Sequence, residues 1–160
     1  MLIICNKNPK DAVDYLIDNT NKNFCFKQLL ELGQLICSCG ISFIFKPINR
    51  GKEIQRWILE NPHYVYTYFL CLLLWCMEYI NLEQKTVEKF NKIISDLSIY
   101  INKYSLLPTN IYERFNNIFV KTAIFRYKQG YECEYPTNSE LPIDVAVEEY
   151  KKYIKWKFSV

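Results

Sequence analysis

Apolar residues recur at helical spacing along most of this chain. Ala12, Val13, Leu16 and Ile17 fall on one side of a turn pattern and Lys10, Asp11 and Asp14 on the other, with Asn8-Pro9 supplying an N-cap and a first-turn proline. The pattern predicts a helix from Pro9 to about Ile17, broken by the polar run Asp18 to Asn23. A second helix is predicted from Phe24 to Cys39, stopped at Gly40. Ile54, Trp57 and Ile58 share a face of a third, which begins near Gly51 and ends at Asn61-Pro62, where Pro62 can open a fourth. Tyr64 to Met77 carries no charge. A membrane span needs roughly 20 apolar residues, whereas this run is shorter, is interrupted by Thr67 and several tyrosines, and is bounded by Glu60 and Glu78. It predicts a buried central helix. Val87, Phe90, Ile94, Leu97 and Ile101 predict a fifth helix with Thr86 as N-cap. A sixth opens at Pro108-Thr109 and runs to about Tyr127, and a last spans Ile143 to Trp156. Leu2 to Cys5 reads as a brief strand or extended arm. The fold class is mainly α, a compact single-domain bundle over residues 1–160 of about six to seven helices with a short extended N-terminal segment. The four glycines speak against an all-β fold.

Composition narrows the picture only modestly. Half of the 160 residues are apolar, enough for one core, and 20 basic against 17 acidic residues leave a net charge of +3, a weak bias toward anionic partners. Distribution says more than the total. Lys46, Arg50, Lys52 and Arg56 stand against Glu53 alone in their stretch, and Lys151, Lys152, Lys155 and Lys157 run through the tail with no acid among them. Both are candidate phosphate-contacting patches, and the competing reading of each is a solvated face. Seven cysteines are scattered without a CxxC pair, and His63 is the only histidine, so zinc lacks ligands at useful spacing. Cys71 and Cys76 lie among apolar neighbours, where a thiol behaves as a small hydrophobe. The expectation is a reduced, intracellular protein of the cytoplasm, since neither a basic N-terminal region nor a signal-peptide cleavage site is visible. No glycine-rich phosphate loop or ligand cluster calls for a metal, nucleotide or flavin, so none is expected as cofactor. Oligomeric state is left open.

The chemistry concentrates in Asn8 to Cys37. Lys27 and Glu31 are four apart and Gln34 three further on, so all three project from one face of the second helix, beside Leu30 and Leu35. Polar groups in a core-like amphipathic helix are either a structural cluster or a site. The spacing P-x2-A-x2-Y-L-x-D from Pro9 to Asp18, followed by K-x3-E-x2-Q-L-I-C from Lys27 to Cys37, resembles the N-terminal signature of the pyrimidine-dimer DNA glycosylase family. The likeness continues more loosely through Trp57 and Cys76-Met77-Glu78-Tyr79 to Tyr150, Tyr153 and Trp156.

The resemblance implies a phage or viral protein of DNA repair or DNA modification, with duplex DNA as partner. The characterised phage glycosylase of that family attacks the sugar C1′ with an amine while a helix-borne glutamate moves protons and stabilises the imine, and by the resemblance Glu31 stands where that glutamate would be. By the same likeness Lys27 neutralises Glu31 or grips a phosphate, and Gln34 bonds a base or a backbone group. The nucleophile would be the Met1 amine or Lys27, and Lys46, Arg50, Lys52, Arg56, Lys151, Lys152 and Lys155 would hold the duplex. Damaged or modified pyrimidines are the implied substrates. The chain departs from the family pattern in four places: Leu2 replaces the threonine whose amine attacks in the characterised enzyme, Phe24 stands at the offset of a family histidine, Lys52-Glu53 replaces a His-Pro pair, and there is an insertion around Asn19 to Asn23. Two alternatives therefore stand beside a DNA N-glycosylase/lyase: a catalytically degenerate viral protein that binds a host protein, and a DNA base-modifying transferase. His63 reads as a capping or surface residue, and Tyr64, Tyr66, Tyr68, Phe69 and Trp75 read mostly as core.

Overall fold

The computed structural model describes residues 8–49 and 51–104 and, near the C-terminus, Lys151, Ile154, Lys155, Lys157 and Phe158; the Glu53 side chain is not among the described groups. Five helices are described: α1 (Pro9–Asn19), α2 (Lys22–Ser38), α3 (Lys52–Glu60), α4 (Pro62–Tyr79) and α5 (Gln84–Lys103). The described C-terminal residues are helical as well. Among the described residues there is no strand. The predicted N-terminal arm and the predicted helix from Pro108 to Tyr127 lie outside them.

Short polar side chains set the first two boundaries. Asn8 Oδ1 accepts the backbone N–H of Asp11 at 2.9 Å, and Pro9 follows at a position whose missing N–H has no helical partner to lose. Helix α1 runs past Ile17 to Asn19, where Asn19 Nδ2 donates to the Tyr15 carbonyl at 2.8 Å and the Thr20 hydroxyl donates to that of Leu16. Asn21 then caps α2 by accepting Phe24 N–H at 2.8 Å. The polar run read as a break is thus two helix ends joined through Thr20 and Asn21, because asparagine and threonine satisfy the backbone groups that helix termini leave open. At the other end of α2, Cys39 occupies the C-cap and Gly40 takes φ 78°, the left-handed geometry that favours glycine.

Residues 40–51 cross to α3 under three ties. Ser42 Oγ donates to Asp96 Oδ2 of α5 at 2.7 Å, the Phe45 ring meets Phe90 edge-on, and Ile48 N–H donates to Ser38 Oγ at 2.8 Å. Gly51, at φ 70°, opens α3. Asn61 ends α3 and begins α4, its N–H and Nδ2 both reaching the Trp57 carbonyl while its own carbonyl accepts Val65 N–H. Helix α5 begins earlier than its pattern predicts. Glu83 holds the N-cap position and Thr86, expected as the cap, lies inside the first turn with its N–H on the Glu83 carbonyl at 3.0 Å.

Helix α4 is the centre. Helices α1, α2, α3 and α5 all pack on it, burying Val65, Tyr68, Phe69, Leu72, Leu73 and Cys76. Among the described residues no helix is long and apolar enough to cross a membrane. Phe90 carries the α5 side of this core: Phe45 and Phe69 both sit edge-on to it with centroids 5.9 Å away. Gly33 lets α2 come this close, since a Cβ there would lie 3.2 Å from Phe45 Cε2 and 3.4 Å from Phe90 Cε1. Truncation of Phe90 to Ala is expected to cost about 3–5 kcal/mol of unfolding free energy. Gly33→Leu, which overfills the same space, is expected to cost about 1–3 kcal/mol. Urea unfolding followed by far-ultraviolet circular dichroism measures both, and a Phe90→Ala loss under 1 kcal/mol would contradict this packing.

Candidate functional site

The buried positions of α2, among them Cys25, Leu29, Leu32, Gly33 and Ile36, fill one arc of the helix. Phe24, Lys27, Glu31, Gln34 and Ser38, spaced by threes and fours, share the opposite arc. Lys27 is exposed, whereas Glu31 and Gln34 are half-buried, and of their apolar neighbours Leu35 is buried and Leu30 half-buried. One end of this stripe is closed by the 40–51 connection, because Ser38 Oγ donates to the Gln34 carbonyl while accepting Ile48 N–H.

The other end meets the C-terminal residues. Ile154 is fully buried in the core, and from that anchor the flanking residues reach α1 and α2. Phe158 sits edge-on to Phe24, centroids 4.9 Å apart. Lys157 Nζ lies 5.1 Å from the centre of the Phe24 ring, and Lys151 Nζ lies 5.7 Å from that of Tyr15. Burial lowers the Lys157 pKa from its ordinary 10.5, and the Lys27 ammonium lowers it further. Lys157, remote in sequence, therefore lies against the turn of α2 that runs from Phe24 to Lys27.

The second basic patch lies toward the other end of α2. Lys46, Lys52 and Arg56 are exposed, and Arg56 Nε pairs with Glu60 Oε1 at 3.2 Å. Lys155 is exposed on the C-terminal segment. Met1, Arg50, Lys152, Tyr150, Tyr153 and Trp156 lie outside the described residues. His63 is exposed in the first turn of α4. Tyr68 and Phe69 are buried, and the half-buried Tyr64 stacks on Tyr68 at 6.4 Å, so these rings are core, as their spacing predicts. Cys25, Cys37, Cys39, Cys71 and Cys76 are free thiols. Burial pushes Cys39 and Cys76 up to about 12, which removes both as thiolate nucleophiles near neutral pH. Among the described residues no group of three or more His, Cys, Asp or Glu side chains could hold a metal ion.

No protein-family model, curated protein or solved structure matches the chain. Its functional reading rests on its own residues. The Lys27–Lys157 encounter was not legible from spacing; the only sequence signal was the acid-free run of tail lysines interleaved with apolar positions.

Because burial and Lys27 both disfavour its charge, Lys157 opposes folding while it is protonated in the folded and unfolded chain alike, and that opposition fades as pH rises through its folded-state pKa toward 10.5. Titration of 13C-methylated lysines by NMR is expected to show Lys157 below the other lysines, and Lys27→Gln to move it upward. An unmoved Lys157 would mean that the two ammoniums do not sense each other.

Proposed function

We propose that this chain acts on duplex DNA as an N-glycosylase/lyase of damaged or modified pyrimidines, with Lys27 and Lys157 on the phosphodiester backbone and Glu31 as the central carboxylate. The observation that carries this reading is the placement of Lys157 against the Phe24 ring, on the face of α2 that also carries Lys27 and the half-buried Glu31. A phosphate at this face would accept charge-assisted hydrogen bonds from lysine ammoniums. Lys155 and the exposed Lys46, Lys52 and Arg56 would supply further phosphate contacts.

Glu31 suits the chemistry that follows such binding. As the bond from C1′ to the base nitrogen breaks, the sugar becomes electron-deficient, and a carboxylate beneath it stabilises the developing positive charge. An amine, either that of Met1 or, in place of its phosphate contact, that of Lys27, bonds to C1′; the base leaves with the electron pair and takes a proton. Loss of the amine proton and opening of the sugar ring then give the imine, with Glu31 moving protons at the ring oxygen. C1′ becomes reachable when the target base is flipped out of the stack or the duplex is bent. Gln34, half-buried on the same stripe, would bond a base or a backbone group.

Binding to labelled duplexes, plain and carrying an abasic-site analogue, is expected to weaken steeply with salt and to be tighter on the analogue. Lys27→Gln and Lys157→Gln should each reduce the slope of log K against log salt by about 1. Glu31→Gln should bind like the parent chain and lose borohydride-trappable adduct on abasic DNA. Absence of duplex binding at low salt would overturn the proposal and favour a protein partner.

A further inference from the structure

We propose that the cavity between the start of α2 and the end of α4 binds a single nucleotide, its base against Phe26 and Tyr79 and its phosphate on Lys22. This inference does not rest on the DNA-acting reading above. Phe26 lies in the second turn of α2 and Tyr79 is the last residue of α4; with Ile80 they form the apolar wall of a cavity of about 390 Å³. That volume lies at the lower end of the roughly 300–1,000 Å³ of small-molecule sites, which pair an apolar wall with a few orienting polar groups. Among the described residues the polar part of the lining is Lys22, Asn23 and Asn81, all exposed to solvent.

Both sides of the cavity are fixed by the fold. Tyr79 is 50% exposed, and its ring is backed by the half-buried Trp75, centroids 5.3 Å apart. Asn21 accepts Phe24 N–H at 2.8 Å and sets the first turn of α2. Ile80 N–H donates to the Cys76 carbonyl at 2.8 Å and Leu82 N–H to that of Ile80 at 2.9 Å, which sets the turn that carries Asn81. Preset walls leave little ordering cost to be met on binding.

The lining selects among ligands of this size. A lipid tail has no use for a cation and two amides, and a cationic ligand would be repelled by the Lys22 ammonium. The acids nearest in sequence, Asp18, Glu78 and Glu83, are exposed, and none belongs to the described lining. An anion with a flat apolar body matches all three features. Bases stack on aromatic side chains, asparagine amides donate and accept together, as the N6 and N7 edge of adenine requires, and an ammonium binds phosphate. A free mononucleotide and an unstacked nucleotide of a DNA strand offer the same chemistry.

Deoxyadenosine monophosphate, added to the 15N-labelled full chain, is expected to shift the Asn23 and Asn81 resonances saturably. Tyr79→Ala should weaken binding about tenfold and, because that side chain is half in solvent, keep the parent's urea midpoint. Lys22→Gln should abolish the preference for the monophosphate over deoxyadenosine and leave the nucleoside's own affinity unchanged. Glu31→Gln should bind the monophosphate like the parent chain. Absence of a saturable shift at millimolar monophosphate, or equal shifts with benzoate, would overturn the nucleotide site and leave the DNA reading standing. Saturable binding by a chain that does not bind duplex would keep this site and overturn that reading. Displacement of the monophosphate by single-stranded oligodeoxyadenylate would support the site with its nucleotide in a strand, and binding that the oligomer leaves untouched would support it with a free nucleotide.

Discussion

Burial of α4 sets the position of every other described helix. Its run from Tyr64 to Met77 carries no charge, and each Leu, Val or Phe taken out of water there contributes about 1.5–3 kcal/mol. Such a helix is stable only when covered on most sides. Ala12, Val13 and Leu16 of α1, Leu29, Leu32 and Ile36 of α2, Trp57 and Ile58 of α3, and Phe90, Ile93 and Leu97 of α5 join it in one buried cluster. The connections between these helices are short where a cap suffices, as at Thr20-Asn21 and Asn61, longer over residues 80–83 between α4 and α5, and longest between α2 and α3.

That arrangement also decides what α2 can do. With one arc committed to the core and Gly33 drawn against Phe45, Ile93 and Phe90, the helix cannot rotate without losing its tightest contacts. Its polar stripe is consequently held in one orientation, with Glu31 and Gln34 half-buried between the 40–51 connection and the C-terminal residues. Ile154 anchors those residues in the same core, so the burial that stabilises the fold also carries Lys157 to the Phe24 ring, one turn before Lys27. A carboxylate in this setting is rigid and partly shielded, which strengthens its electrostatic action on any charge that forms nearby.

The connection between α2 and α3 shows how packing sorts residues that look alike in sequence. Ile41, Phe43, Ile44 and Phe45 read as one apolar segment. The hydrogen bond from Ser42 to Asp96 and the Phe45–Phe90 contact fix which of them turn inward, and Phe43 is the one left in solvent. Of the two thiols read as small hydrophobes, Cys76 is buried in the main core and Cys71 is half-buried.

Helix class, the order of the five helices and most of their ends were legible in the sequence, because they depend on local physics. Asn8-Pro9, Gly40, Gly51 and Pro62 act on backbone groups within a turn of themselves, and the apolar periodicities report directly which arc is buried. The start of α5 was misplaced by one turn, since Thr86 and Glu83 are both plausible caps until the approach of the chain from α4 is known. Lys27, Glu31 and Gln34 could be placed on one face for the same local reason. Whether that face would be exposed, how deeply Glu31 would sit, which tail lysine would meet Lys27, and which phenylalanine would stand in water were decided only by tertiary packing. Those properties depend on contacts between residues far apart in the chain, and no spacing within a single helix encodes them.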